Sequence, residues 1–550
     1  MCIRDRVAYR NIAFHLPYQG NHCGFPETDR AASRRVQSSD YLLQYEHDKY
    51  EIVSDKQVVA TGKRSPGRVR VGQGERTLDL AVRHFWQMCP REIEVTPGML
   101  KIHTWPRHGK PATHGGANVT KENVGKLWWV HEGETLNFRN PPELYKVHFT
   151  TESRYDAARW ANAFGIALTS EYWLDFHGDA DPANTVATRN ANPLFVVDRR
   201  WLADSQAFWD IAPWREPYLE VEEAAAAPFE FFDKMTERLG DYGMWNYGAY
   251  HKGYFPTLTG ANLHRHWMAF HQGGSRWPWL VFARSGKPQY FDFAEVTARH
   301  CMDVATCNWE DIEYNKKYWG KAPRSYLSLK YRGGLCKYNR LVHWNQGAHM
   351  GYNSEMDYAL WYFYMTGYQR AWDVAMNHGE CLLRYNDPMP LEGQDPTNPV
   401  KMKSRNGTAR GAAACSLYRA THDERYLKLA RRQMQYFQDI LDRDEGNAWQ
   451  IMYAPFIERY YEMTGDKSLE PYIVRWARYW LAPPDSGSTI RQANALNGRE
   501  HWTTRDTWYN LLALGYQLTG EQEFLDYGLQ QARLFLETRE MQRSVAYVVM

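Results

Sequence analysis

The stretch His343-Trp344-Asn345-Gln346-Gly347-Ala348-His349-Met350-Gly351-Tyr352-Asn353 packs two histidines, one tyrosine and two asparagines into eleven residues. Imidazole and phenol are side chains that move protons to and from a substrate. A lone histidine is more often structural, but two at i and i+6 ahead of a helix make a better candidate. His264 with His266, and His501 with Arg505, open two further helical segments. No H-E-x-x-H spacing, G-x-S-x-G elbow, P-loop or dinucleotide fingerprint occurs, so the chain is expected to use neither a metal nor an organic cofactor.

Charge singles out the same region. From Tyr314 to Ser354 there is no Asp or Glu, while Lys316, Lys317, Lys321, Arg324, Lys330, Arg332, Lys337 and Arg340 are present. Tyr318, Trp319, Tyr326, Tyr331, Tyr338 and Trp344 are interleaved with them. A second acid-free stretch, Pro396 to His422, adds Lys401, Lys403, Arg405 and Arg410. Cations alternating with flat aromatic faces suit a polymer that is anionic and stackable. Charged sugars fit, and so does single-stranded nucleic acid. A plain solvated surface is the alternative for either stretch alone.

These residues need a scaffold, and an internal repeat supplies one. Gly286, Gly367, Gly465 and Gly520 each follow Ser or Thr, and His422 takes the same place after Thr421. Four residues earlier stand Phe282, Phe363, Tyr418, Tyr461 and Tyr516; four later stand Tyr290, Tyr426, Leu469 and Phe524, with Ala371 breaking the series beside Trp372. Such a pattern predicts helical hairpins, each closed by a left-handed cap, with the apolar residues on either side meeting across the turn. Five hairpins are visible, and the helix near Phe229 to Leu239 is a candidate for a sixth. The spacings of 81, 55, 43 and 55 residues are irregular. A generic α-solenoid shares the hairpins; irregular spacing favours a closed (α/α) toroid with long loops at one end. If the short turns share one face, the connections near 241–262, 303–352, 387–408, 441–452 and 483–506 emerge at the other, where function concentrates.

Earlier in the chain the apolar period is two. Leu78, Leu80 and Val82 alternate with polar or small residues, and Ile93 and Val95 lead through Thr96-Pro97-Gly98 to Leu100 and Ile102. Tyr145, Val147 and Phe149 repeat the pattern, and Tyr155 to Phe164 reads as an isolated helix. Short alternating runs between turns predict antiparallel strands with one face buried, hence a β-sandwich. The expected division is a stub or truncated start over 1–9, a β-sandwich over 10–228 and the toroid over 229–550. With 66 Lys and Arg against 64 Asp and Glu, a uniformly basic nucleic-acid binder is excluded. The 23 Trp and 37 Tyr exceed what a core can fully bury, as in proteins that stack on sugar rings. Eight cysteines without a C-x-x-C pair argue against a zinc ribbon or disulfide scaffold. No run approaches the roughly 18 apolar residues of a membrane span, so no membrane partner is expected.

The order of several motifs resembles the exo-rhamnogalacturonan lyase family, polysaccharide lyase family 26. Val82-Arg83-His84-Phe85-Trp86-Gln87-Met88-Cys89-Pro90 with Trp105-Pro106 is similar to its β-sandwich signature. Ala298-Arg299-His300-Cys301-Met302-Asp303-Val304 and the segment from Gly347 to Tyr364 are similar to its toroid. The chain departs from the family pattern at Asn262-Leu263-His264-Arg265-His266-Trp267, which bears on the choice of substrate. The resemblance implies β-elimination at a 4-linked uronic acid, an acidic polysaccharide as partner, no nucleic acid, and a secreted or periplasmic location. Position and chemistry then suggest His349 as base, Tyr352 as acid, and Arg405 with Arg410 on the carboxylate. His343 and Asn353 would support them, and Trp344, Arg340, His264, His266, His501 and Arg505 would line the substrate. A glycoside hydrolase using carboxylates among Glu355, Asp357, Asp241, Glu310 and Asp311 is the rival enzyme, and a non-catalytic glycan binder the rival outside catalysis.

Overall fold

The computed structural model describes residues 11–14, 39–73, 76–108, 130–132, 135–137, 165–176, 196–216, 219–240, 242–244, 246–249, 276–310, 331–336, 348–349, 356–386, 405–442, 454–481 and 509–537. The chain divides into two compact units, one made of 1–162, 168–195 and 235–247, the other of 163–167, 196–234 and 248–550. The boundary expected at 228 falls inside a continuous helix, Leu219–Leu239, in which Pro228 occupies an interior position. Sequence punctuation at a proline misled here, because tertiary packing can hold a helix through the hydrogen bond that proline removes. The expected stub over 1–9, the strand around Tyr145 to Phe149 and the helix from Tyr155 to Phe164 lie outside the described residues.

The first unit is antiparallel β. Its strands are β1 (Asn11–Phe14), β2 (Asp40–Glu46), β3 (Lys49–Ser54), β4 (Gln57–Gly62), β5 (Arg68–Gln73), β6 (Arg76–Val82), β7 (Arg91–Thr96), β8 (Met99–His103), β9 (Val130–Glu132), β10 (Thr135–Asn137) and β11 (Tyr172–Asp175). One sheet runs β1-β5-β6-β11 and a second β4-β3-β2-β7-β8, with β9 and β10 as a separate pair. Alternation decides the register: Leu42, Ile52, Ile93 and Val95 of the second sheet join Val69, Val71, Leu80 and Val82 of the first in one buried cluster. Between β7 and β8, Thr96 pairs with Met99, and Gly98 takes φ 82° to close the turn. The expectation of a single buried face is corrected in the second sheet. All of Arg91–Val95 in β7 and Tyr50–Ser54 in β3 are buried, so both faces are covered there.

The second unit is helical: α1 (Arg199–Asp204), α2 (Leu219–Leu239), α3 (Trp277–Ser285), α4 (Pro288–His300), α5 (Asp357–Thr366), α6 (Gln369–Asn386), α7 (Arg405–Thr421), α8 (Glu424–Asp442), α9 (Ala454–Thr464), α10 (Glu470–Leu481), α11 (Tyr509–Thr519) and α12 (Gln522–Glu537). A two-residue ribbon, β12 (Leu335–Cys336) with β13 (Ala348–His349), stands among them. Five hairpins, α3–α4 through α11–α12, turn where the repeat predicts. Gly286, Gly367, Gly465 and Gly520 have φ of 68°, 67°, 61° and 70°, and His422 has 56°. Each of these five N–H groups donates to the carbonyl four residues back, at 2.7–2.8 Å. The hydroxyl before the cap explains the Ser/Thr preference. Thr421 Oγ1 donates to Leu417 O at 2.7 Å and accepts from Asp423 N at 3.2 Å, and Thr464 and Thr519 do the same. One side chain thus satisfies both ends of the turn.

Contact across the turn is displaced by one residue from the expected pairing. Phe282 meets Phe291 at 5.2 Å, Phe363 meets Trp372 at 5.0 Å, and Tyr461 Oη donates to Glu470 Oε1 at 2.8 Å. Residues four after the cap (Tyr290, Ala371, Tyr426, Leu469 and Phe524) are instead buried between helices. Each residue rotates the helix by about 100°, so the fifth residue faces the partner helix while the fourth faces the core. First members of the hairpins pack side by side, α3 on α5, α5 on α7, α7 on α9 and α9 on α11. The sixth candidate, α2, packs Phe229 on Trp277 of α3 at 4.2 Å and on Tyr290 of α4 at 4.5 Å.

Candidate functional site

The helix boundaries place the long connections. Between hairpins the chain spans 301–356, 387–404, 443–453 and 482–508, whereas the turns within hairpins are a few residues long. Arg405 opens α7, and the His422 cap closes it seventeen residues later. At 1.5 Å per residue these ends are about 25 Å apart. Arg405 therefore stands at the end of α7 opposite its short turn.

Three described pieces of chain meet around α6, which packs against α7. Residues 306–310 follow α4: Thr306 bridges to Leu335, Cys307 N donates to Gly334 O at 2.9 Å, and Gly333 N donates to Cys307 O at 2.8 Å. Leu335 pairs with His349, which puts the His349 backbone in β13, packed against α6. The ribbon is tied to α6 by His378, a fully buried residue. Its Nδ1 lies 2.5 Å from Gly333 O, an acceptor, so Nδ1 carries the proton; its Nε2 lies 2.9 Å from Tyr358 Oη and accepts from that phenol. Burial lowers the His378 pKa to about 4, against the opposing pull of Gly333, so the ring is neutral. Gly333 has φ 80°, and a Cβ there would stand 1.9 Å from Asn377 O, so only glycine lets the ribbon approach α6 this closely.

At the last turn of α6, Arg384 Nη1 donates to both oxygens of Glu310 at 3.0 and 2.8 Å, and Arg332 N donates to the same carboxylate at 3.0 Å. Tyr331 lies under the Arg384 guanidinium, 5.9 Å away. Arg410, one turn into α7, is half-buried on the same side. Burial pushes the Cys381 thiol up to about 12, Arg384 draws it down, Glu310 opposes that, and Arg410 draws it down further. Cationic, carboxylate and aromatic groups therefore converge where α6 ends and α7 begins.

A second polar cluster lies among the first helices of the hairpins. Asp357 opens α5 with Oδ2 2.6 Å from Arg459 Nη2 and 3.7 Å from Arg276 Nη1, while Ser416 Oγ donates to Oδ1 at 2.6 Å. All four residues are buried. Burial raises the Asp357 pKa, with Arg276 and Ser416 opposing. Trp209 lies under Arg419 at 4.6 Å and Arg459 at 5.2 Å. Thus two carboxylates considered for a hydrolase, Glu310 and Asp357, are each held by arginine.

Of the residues expected to act, His349 and Arg405 are placed through their backbone and Arg410 also by its surroundings. Tyr352, His343, Asn353, Trp344, Arg340, His264, His266, His501 and Arg505 lie outside the described residues, as do Glu355, Asp311 and Asp241. Sequence reasoning missed His378, Tyr358 and Arg384. Their available signal was a histidine followed by glycine, His378-Gly379, on a helix; Gly379 has Tyr426 Oη where a Cβ would stand, at 2.2 Å.

An antiparallel β unit combined with an array of helical hairpins is the class this chain defines. No protein-family model matches it. The chain is similar to the uncharacterised protein YetA of Bacillus subtilis (strain 168), 26% identical over 393 residues, which cover 67% of this chain and 40% of that protein. The chain therefore corresponds to less than half the length of this relative. Among the described residues no helix is long and apolar enough to cross a membrane.

Proposed function

We propose that this chain is a polysaccharide lyase that cleaves a uronic-acid-containing, rhamnogalacturonan-like polymer by β-elimination. In this reading the two β-sheets form a sandwich, the hairpins close into an (α/α) toroid, and the protein works outside the cytoplasm, where such polymers occur. The observation that carries it is the position of Arg405: it opens α7 at the end opposite the cap, in an acid-free segment, and α7 packs on α6, against which the ribbon with His349 also packs. A helix N-terminus and a guanidinium both favour a carboxylate.

Elimination needs the uronate carboxylate neutralised, the C5 proton removed and the leaving O4 protonated. The C5–H bond breaks, its electrons form the C4=C5 double bond, and the C4–O4 bond breaks toward the acid. Arg405 takes the carboxylate, which makes the C5 proton more acidic. His349 takes that proton and Tyr352 gives one to O4, with His343 and Asn353 as supporting donors. Arg410 follows Arg405 by five residues, about 140° further round the helix. It reaches the carboxylate from the α6 side, as the second cation beside Arg405.

The test is a panel of acidic polysaccharides followed by ultraviolet absorbance of the unsaturated product. Absorbance with new chain ends is expected. New reducing ends without absorbance would replace the lyase by a hydrolase, and binding without product would leave a glycan-binding protein.

A further inference from the structure

We propose that the outer face of the five-stranded sheet carries a binding site for one divalent transition-metal ion of the zinc type, made by Glu92, Glu94, His103 and His108. This is independent of the reading of the helical unit. Glu92 and Glu94 stand at i and i+2 of β7, so both leave the same face of the sheet, opposite Ile93 and Val95 in the core. Glu92 pairs across the ladder with His103 of β8, and Glu94 with Lys101. The turn beyond β8 then brings back His108.

Three ligand atoms converge, and a fourth side chain, His108, stands beside them on Glu92. His108 Nδ1 is 2.8 Å from Glu92 Oε1, His103 Nε2 is 2.9 Å from Glu94 Oε2, and the same Nε2 is 3.7 Å from Glu92 Oε1. Glu92, Glu94 and His103 offer ligand atoms that all lie within 4.8 Å of one another. Around a tetrahedral zinc with bonds of about 2.0–2.1 Å, neighbouring ligand atoms stand about 3.3 Å apart. The separations of His103 from Glu94 and Glu92 bracket that value, and His108, which stands outside the 4.8 Å group, turns about its side chain to complete the set. Two imidazoles with two carboxylates are ligands for zinc and its neighbours in the first transition row, not for magnesium or calcium.

The surroundings are those of a held site. Ser39 Oγ donates to Glu94 Oε1 at 2.7 Å, His108 N donates to Glu92 Oε2 at 2.9 Å, and the His108 ring lies parallel to Tyr41 at 4.1 Å. Each contact fixes a ligand from its far side. A dication would also find its countercharge here. The Glu92 and Glu94 side chains are 0% and 2% exposed, two like charges on one buried face. Lys101 Nζ, 3.2 Å from Glu94 Oε2, offsets one of them, and its side chain is 31% exposed and free to swing outward when an ion enters.

The full chain, stripped with a chelator, is titrated with cobalt(II) as a visible-spectrum probe and with zinc by calorimetry. One equivalent should bind with the intense visible bands of a four-coordinate cobalt site, and zinc should displace it. His103→Ala and His108→Ala should each lose that equivalent or weaken it at least about 100-fold, beyond the roughly 10–100-fold typical of removing an outer-shell partner. Both imidazoles are partly exposed, and circular dichroism checks that the variants fold. Zinc should raise the melting temperature of the wild type and leave those of the variants unmoved. No binding by wild type at micromolar metal, or the same stoichiometry and spectrum in both variants, overturns the proposal.

Discussion

Single side chains here are decided by what their burial demands. His378 is neutral because its pKa falls from 6.5 to about 4 on burial. An unfolded chain protonates this ring below pH 6.5 while the folded one does not until about pH 4. Its contribution is therefore complete above pH 6.5 and lost as pH falls toward 4, a change of roughly 3 kcal/mol. In His378→Asn the side-chain amide can still donate to Gly333 O without titrating. Urea unfolding from pH 7.5 to 4.5 should show a shallower loss of stability for this variant than for wild type. Asp357 answers the opposite demand, since it compensates Arg276 and Arg459. Asp357→Ala leaves two buried guanidiniums without their carboxylate and should cost about 3–5 kcal/mol, read from the urea midpoint. An unchanged midpoint would show that the arginines find other partners.

Between neighbouring elements, the left-handed caps set the hairpins. Four of the five are glycine, and the fifth, His422, holds φ 56° with a side chain. An L-residue in this region loses about 1–2 kcal/mol, so His422→Gly should raise stability by up to about 1 kcal/mol, and Gly465→Ala should lower it by a similar amount. Gly465 has no atom within 4 Å of a Cβ, so the second change isolates backbone strain from packing. Gly411 tests the reverse. It lies inside α7, where alanine favours helix, but a Cβ would stand 2.5 Å from the ring of buried Phe456 on α9. Gly411→Ala should cost about 1–3 kcal/mol despite its propensity gain, because crowding between two packed helices outweighs it.

For the molecule as a whole, charge distribution matters more than net charge. A balance of only +2 gives no general attraction for polyanions, whereas the acid-free stretches concentrate positive charge in the connection before α5 and in the connection before α7 together with that helix. Affinity for a uronic-acid polymer should therefore fall as salt is raised from low to physiological strength, with a neutral polymer as the control that does not respond. His349→Ala should lower turnover by about 10²–10⁴ while leaving polymer binding nearly intact. Arg405→Ala should weaken both, because the carboxylate is present in ground state and transition state alike. Normal elimination by the His349 variant would pass the role of base to His343 or Tyr352.

What could be learned from sequence alone was local. Alternation in Leu78 to Val82 and Ile93 to Ile102 specified strands and their inward faces, because side chains repeat every two residues along a strand. Ser/Thr-Gly spacing specified the hairpin turns, because the hydroxyl, the cap and the carbonyl four residues back all lie within one turn of helix. The ends of α6 and α10 fall within a residue or so of the expected connections, but the connection expected over 387–408 stops four residues earlier, so Arg405 stands in the first turn of α7 and not in the loop. Contacts between distant residues could not be read this way. His378 finds Gly333 across 45 residues, Ser416 finds Asp357 across 59, and Arg384 finds Glu310 across 74. Glu92 and Glu94 look like the solvent side of an alternating strand until both faces of the sheet prove to be covered. A periodic pattern reports which way a side chain leaves its own element; which groups meet it, and whether water is excluded from them, depends on chain segments that only folding brings together.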